Sequence, residues 1–595
     1  QHPNTVHKNA ELPTQGPMDR AIFELCHPSR RPGNQHLARW SHTVYRSILS
    51  TLLIAALGLG CEAQLPTSQQ GTFQPTEPLQ RAASQITEQG INQDIEVLSS
   101  DAFRGRAPGT AGDGMTQRYL IDRMRAIGLA PGGPDDQWRQ PFSLIALNAA
   151  QPANWTFSGP TEQLELEQGN DFIVSSGVQA QRVTLDDAPL LFVGYGIQAQ
   201  EYDWDDYKGV DVQGKVLVMM NDDPDWSDDL FAGEARLYYG RWTYKYEIAE
   251  KLRAAGVIIL HTTPSAGYPW QGVQTSWTGP QFELPKQGDG QLRVKGWVTE
   301  DSAEKLFQLA GLSLTEARTK ARSASFQPLE LPVTTNLDMN VAMIQQQSAN
   351  VLGLVPGGDL ASEVVIYTAH HDHLGASIDR NTNDIQIYNG AMDNASGVAS
   401  VLAIAQAFVA LPEPPRRSIL FAFVGAEEQG LLGSAFYAQN PTIAPGHIAA
   451  AVNMDGVQIN GRSRDINFVG YGRSTVDEVA DRVAAFQGRI VKGDQNPSAG
   501  LFYRSDHFSL AKIGVPALNF RGGHDLLEGG LERGKRLSEE YVQQHYHQPS
   551  DVLGEHWRFD GLVEDAQFGF YSGWLLAEQS ALPEWQPGDE FLAAR

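Results

Sequence analysis

The residues able to do chemistry fall in five short stretches. His370-His371-Asp372-His373 follows an apolar run at 364–369, Gly425-Ala426-Glu427-Glu428 follows one at 418–424, and Asp455 follows one at 449–454. Asp393 sits inside Gly390-Ala391-Met392-Asp393-Asn394-Ala395-Ser396-Gly397, and His545-Tyr546-His547-Gln548-Pro549-Ser550-Asp551 comes late in the chain. Carboxylates gathered in one place are costly to bury without cations. Imidazole and carboxylate without thiol suit zinc or a similar divalent metal. The two cysteines, Cys26 and Cys61, provide neither a Cys-based metal site nor a disulfide scaffold. Two imidazoles and three carboxylates suit two neighbouring metals when one carboxylate bridges, and paired metals polarise a carbonyl and activate water.

The elements that must position these groups alternate between strand and helix. From about residue 350, apolar strands are expected at 364–369, 418–424, 448–454 and 515–520, with helices at 396–411, 431–439 and 476–486. Fully apolar strands between helices imply an α/β fold with a mostly parallel central sheet covered on both faces. In such a sheet, ligands bind beyond the carboxyl ends of the strands. Three strands thereby deliver His370, Glu427-Glu428 and Asp455 to one edge. Residues 82–147 read as mostly helical, with a loop at 104–112 and an amphipathic helix at 115–127 stopped by Gly128.

Taken together, a His-x-Asp after a strand, Asp-Asn-x-Ser-Gly at a helix start, Glu-Glu, an Asp after the next strand and a late His resemble the co-catalytic dizinc aminopeptidase family, which contains leucyl-type aminopeptidases. The resemblance covers roughly residues 82–150 and 340–590. It implies a zinc exopeptidase fold and two Zn2+, other divalent metals being possible. It also implies that His370 and Asp455 hold one metal, Glu428 and His547 the other, and that Asp393 bridges. Glu427 would be the general base, and Asp372 would fix the tautomer of His370. His371 and His373 are expected to be extra histidines, and His507 to be structural or substrate-lining rather than a ligand. In Phe502-Tyr503-Arg504-Ser505-Asp506-His507, Tyr503 is the expected oxyanion donor, although the family spacing also allows Phe502 there.

Residues 151–335 resemble a protease-associated domain inserted into the peptidase, through Leu191-Phe192-Val193-Gly194-Tyr195-Gly196 and Gly214-Lys215-Val216-Leu217-Val218 among other stretches. Its Trp226, Tyr238, Tyr239, Trp242 and Tyr244 either line a pocket for apolar side chains or pack its core. The resulting expectation is a metallo-aminopeptidase that removes N-terminal residues from peptides. A metallocarboxypeptidase on the same scaffold is kept open by Arg504 and Arg521. A glutaminyl cyclase-like enzyme and a non-enzymatic binding protein also stay open.

The 595 residues carry 45 basic and 70 acidic side chains, a net charge of −25, which argues against a nucleic-acid partner. No partner protein is implied. Arg46, followed by a small and apolar run to Gly60 before Cys61, reads as a secretory signal. It resembles a bacterial lipoprotein signal, with Gly58 where Leu is usual, so lipidation of Cys61 stays open. Export to the bacterial cell envelope is expected, in the periplasm, on the outer membrane or as a secreted form. The expected organisation is 1–40 disordered or preceding the true start, 41–61 a signal segment, 62–81 a linker, 82–150 and 336–595 the peptidase, and 151–335 the insert.

Overall fold

Strands Leu360–His370, Arg417–Val424, Ile448–Asn453 and Ala517–Gly522 lie parallel, side by side, in the computed structural model, which describes residues 73–227, 230–286, 292–378 and 382–595. Every residue of Arg417–Val424 and Ile448–Asn453 is buried. The side chains alternate between two cores, as the strand period requires. Val365, Tyr367, Ile419, Phe421 and Phe423 face helices Gly397–Val409 and Phe559–Glu578. Val364, Ile366, Leu420, Ala422 and Val424 face the other way, with Tyr437 and Leu510 from two shorter helices. The strands that flank this centre pair with it antiparallel. Leu329–Val355 pairs antiparallel with Arg417–Val424, and Asp465–Val469 pairs antiparallel with Ala517–Gly522.

A second sheet occupies the insert. Arg182–Phe192, Val216–Met220, Gly256–His261 and Val294–Thr299 are successive parallel neighbours, with Phe172–Ser176 antiparallel at the end. One face packs an apolar core around Trp155, Phe192 and Phe307, and the other, around Trp204, Tyr246 and Trp297, shares its core with Phe502, Tyr503, Phe508 and Trp585 of the peptidase part. One strand serves both sheets. Leu329–Asn340 pairs with Arg182–Phe192, while 341–351 pairs with 139–149. The expected boundary at 335 therefore falls inside a continuous strand.

Two further expectations change. Residues 82–147 do contain helices Glu88–Leu98 and Ala111–Ile127, but Arg139–Ala149 is a strand, because its partner lies some 200 positions away. Residues 73–81 are packed rather than linker. Glu77–Ala83 is a helix with Leu79 buried, and the Phe73 ring meets Tyr571 edge-on at 5.7 Å. Residues 1–72, including Cys61 and the expected signal segment, lie outside the described residues.

Candidate metal centre

Strand register brings the five stretches together. His370 pairs with Val424, and Thr368 pairs with Asn453. Residues 371–373, 425–428 and 455, next along the chain, thus leave the sheet along one edge. His370 Nε2 lies 3.1 Å from Asp393 Oδ1 and 3.3 Å from Asp455 Oδ1. His547 Nε2 lies 3.3 Å from Asp393 Oδ2 and 3.0 Å from Glu428 Oε2. Asp393 therefore turns one oxygen to the His370–Asp455 pair and the other to the His547–Glu428 pair. Ligand atoms of His370, Asp393 and Glu428 lie within 4.8 Å of one another.

The electrostatics separate the two adjacent glutamates. Burial drives the Glu427 carboxyl well above its ordinary value, and Glu428, Asp455 and Asp506 add to that against the pull of His370. Burial and Asp393 push Glu428 the same way, but hydrogen bonds from His373 and His547 prevail and bring it to about 2. Burial also opposes ionisation of Asp393, yet His370 and His547 hold it well below the usual carboxylate range. Neighbouring carboxyls pushed apart in this way suit one ligand and one proton-transfer group.

Groups far away in the chain hold this constellation. The Asp372 carboxylate accepts the backbone N–H groups of Glu427 (3.0 Å) and Glu428 (3.4 Å), which aims the Glu-Glu turn. The same residue's Oδ1 is 3.9 Å from His370 Nδ1. Fully buried Arg106 donates to the carbonyls of His371, Leu98, Asn389 and Gly390, and so ties the 371 and 390 loops to the first helices. Asp551 accepts the N–H groups of Met392 and Asp393 at 3.0 and 3.2 Å. Gly390 has φ +53, and a Cβ there would meet Asp393 O at 2.3 Å and the His373 ring at 2.6 Å. A side chain there would displace Asp393.

The histidines outside the expected ligand set have separate roles. His371 is buried against Asp113 (3.3 Å) and Phe423 O. His373 Nδ1 lies 2.6 Å from Glu428 Oε1 and fixes that carboxylate from behind. His507 packs edge-on against Phe502 at 4.7 Å, and burial with nearby Arg473 lowers its pKa to about 3.

Tyr503 corrects an expectation. It is buried, and its hydroxyl donates to Glu590 at 2.5 Å inside a knot with Arg473 and Asp589. It is thus not brought to the cluster. A phenol that does stand beside the cluster is Tyr546, whose ring stacks on His547 at 3.9 Å and which is 37% exposed. Burial, then the charges of Asp393 and Glu428, raise its pKa strongly. The only sequence signal for Tyr546 was its place next to His547. The aromatic residues of the insert mostly pack its core. Tyr238 stacks among Tyr244, Tyr503 and Phe508, and Trp226 lies against Tyr195, Trp204 and Arg322. Tyr238, Tyr239 and Tyr244 do border a cavity of about 290 Å³, but none of the cluster residues lines it.

The donor set fits divalent metal. His370, Asp393, Glu428, Asp455 and His547 offer nitrogen and oxygen only. Three carboxylates face two imidazoles there, an imbalance that a cation would relieve.

Residues 350–565 match the family described as Peptidase family M28. Leupeptin-inactivating enzyme 1 of Streptomyces exfoliatus is 26% identical over 245 residues, 41% of this chain and 51% of that protein. A probable zinc metalloprotease of Pyricularia oryzae is 34% identical over 116 residues, 19% of this chain and 20% of that protein. The chain thus spans about half or less of these relatives' length. Among solved structures, an aminopeptidase from Aneurinibacillus sp. strain AM-1 is similar at 17% identity and a TM-score of 0.46, covering 85% of this chain and 97% of that one. The zinc aminopeptidase BSAP of Bacillus subtilis is similar at 19% identity and a TM-score of 0.39, covering 83% and 97%.

Proposed function

We propose, from the match of residues 350–565 to Peptidase family M28, that this chain is a zinc aminopeptidase that removes N-terminal residues from peptides at a dinuclear centre. The observation that carries the reading is the split of Asp393, one oxygen toward His370 and Asp455, the other toward His547 and Glu428. His370 and Asp455 would hold one ion, His547 and Glu428 the other, with Asp393 shared. When bound, zinc supplies Lewis acidity for the scissile carbonyl and for water.

The chain's own groups do the rest. Glu427 takes a proton from the attacking water and returns it to the leaving amine. Asp372, through the backbone N–H groups of both glutamates, keeps Glu427 aimed while Glu428 stays a ligand. Tyr546, whose ring stacks on His547, would donate its hydroxyl hydrogen to the carbonyl oxygen as negative charge develops there. The insert at 151–335, read as a protease-associated domain, walls the cleft.

The reading is tested with free-amine and amino-blocked peptides and aminoacyl-arylamides, with zinc, cobalt and manganese. Hydrolysis that requires the free amine supports it. Cleavage of amino-blocked peptides at the far end would favour a carboxypeptidase instead. The reading includes export with a lipid tether at Cys61, supported by the Arg46 flank and the small apolar run before Cys61. A Cys61→Ser chain that still fractionates with membranes would sink the tether.

A further inference from the structure

A cavity of about 290 Å³ lies where the insert meets the C-terminal segment, and none of the candidate metal ligands lines it. Helix Trp242–Lys251 and the short turn before it supply Tyr238, Tyr239, Tyr244 and Ile248. The C-terminal segment supplies Glu590 and Phe591. Tyr238 and Tyr239 each stand edge-on to Tyr244, with ring centres 5.5 and 5.0 Å from it and planes at 78° and 81°. Two rings set across a third make walls at right angles rather than a closed stack.

The charge around these rings is negative. Burial raises all three phenol pKa values, so the hydroxyls stay protonated, and the charges that add to it are chiefly carboxylates. They are Glu247 and Glu590 at Tyr238, Glu201 and Glu590 at Tyr239, and Asp206, Glu201 and Glu247 at Tyr244. Glu590 is already held by Arg473 and the Tyr503 hydroxyl. Glu201 and Glu247 keep capacity to spare. Glu201 accepts the Tyr239 hydroxyl at 2.5 Å, and among the described residues no cationic nitrogen lies within 4.0 Å of it. Glu247 lines the cavity and is exposed. The protein's own Lys512 shows what these groups accept. Its ammonium lies 4.9 Å from the centre of the Tyr238 ring, 3.2 Å from the Tyr238 hydroxyl and 2.8 Å from Glu247. Lys251 also lines the cavity, but it is exposed and water and salt screen its charge.

We propose that this cavity binds an alkylammonium group, with Tyr239 and Tyr244 as its aromatic walls and Glu201 and Glu247 as its counter-charge. Aromatic rings attract a cation through their quadrupole, most strongly where water is excluded. The volume is at the lower end for ligand pockets, which limits the occupant to a short chain. A free small amine and the lysine side chain of a peptide share this chemistry. The site has no residue in common with the metal centre, so it stands apart from the peptidase reading. Because the insert and the C-terminal segment both line it, an occupant would join the two and stabilise the folded chain.

The test is titration calorimetry on the full chain with n-butylammonium chloride against n-butanol, at an ionic strength matched with sodium chloride. The cation should bind about fivefold or more tightly than the alcohol, and should raise Tm as its concentration rises. Tyr239→Leu should lose most of that preference, and Tyr239→Phe, which restores the ring, should keep it. Glu247→Gln should lower it by about twofold to fivefold. Glu247 is exposed, so its variant tests the site even if Tyr239→Leu fails to fold. N-acetyl-lysine methylamide against N-acetyl-norleucine methylamide then separates the two sources. A lysine preference equal to that of butylammonium assigns the site to a peptide side chain, and a smaller one assigns it to a free amine. Absence of butylammonium binding, or equal binding of the alcohol, overturns the proposal. So does a preference that survives Tyr239→Leu, which would put the amine elsewhere, the metal centre included, and so does one unchanged in Glu247→Gln.

Discussion

Two polar knots on the same scaffold treat their charges in opposite ways. Around Arg473, the side chains close on themselves: Asp589 at 2.7 Å, Glu590 at 2.9 Å and the Tyr503 hydroxyl on Glu590. Aromatic rings of Phe502 and Phe591 cover the guanidinium. Around Asp393 the four carboxyl groups of Asp393, Glu427, Glu428 and Asp455 outnumber the imidazoles of His370, His547 and His373. A closed knot is a structural device that ties the C-terminal segment to the sheet. An open one keeps its surplus charge for a ligand, and its order must be imposed from outside. Here Arg106, Asp372 and Asp551 impose it through backbone groups rather than by neutralising the acids.

The contrast can be broken most sharply by removing metal. Chelation should reduce peptide hydrolysis to background, and added zinc should restore it, as read by arylamide turnover and elemental analysis. Full activity in a chelated, metal-free sample would end the comparison. Next in size, Glu427→Gln should keep its metal and its fold but lose about 10²–10⁴ in kcat, the usual worth of a general base. Near-normal turnover would remove Glu427 from that role. In the scaffold around the open knot, Arg106→Met strands four carbonyls and should cost about 3–5 kcal/mol in denaturant unfolding, with weakened metal retention.

The closed knot should respond in stability alone. Glu590→Gln should cost about 1–3 kcal/mol while leaving arylamide hydrolysis nearly unchanged, since it leaves Arg473 and Tyr503 short of a partner. A smaller effect is expected in the insert, at Asp206. Its carboxylate accepts the Ile197 N–H at 2.9 Å, and burial raises its pKa from 3.8 to about 6. The folded state therefore holds this proton to higher pH than the unfolded chain does. The Asp206 contribution is most favourable below about pH 4, falls as pH rises through the window between 3.8 and about 6, and is flat above it. Unfolding of Asp206→Asn at pH 4, 5, 6 and 7 should show the variant gaining on the parent across that window. A constant difference would contradict the raised value.

The sequence by itself determined the central strands and the polar residues at their carboxyl ends. Apolar runs ending in His370, Glu427-Glu428 and Asp455 are local patterns, and the rule that strand ends carry function is enough to send them to one edge. The helix before Leu411 and the motif around Asp393 were legible for the same reason. Tertiary structure alone decided which way Tyr503 turns, that Tyr546 stands beside His547 against the cluster, and that residues 73–81 pack on Tyr571. It also decided that Arg106 holds two loops more than 260 positions away, and that Tyr238, Tyr239 and Tyr244 meet Glu590 and Phe591 around one cavity. None of these has a periodic or spacing signature. A long polar side chain takes its meaning from acceptors that only folding brings within reach, whereas an apolar strand carries its burial in its own composition.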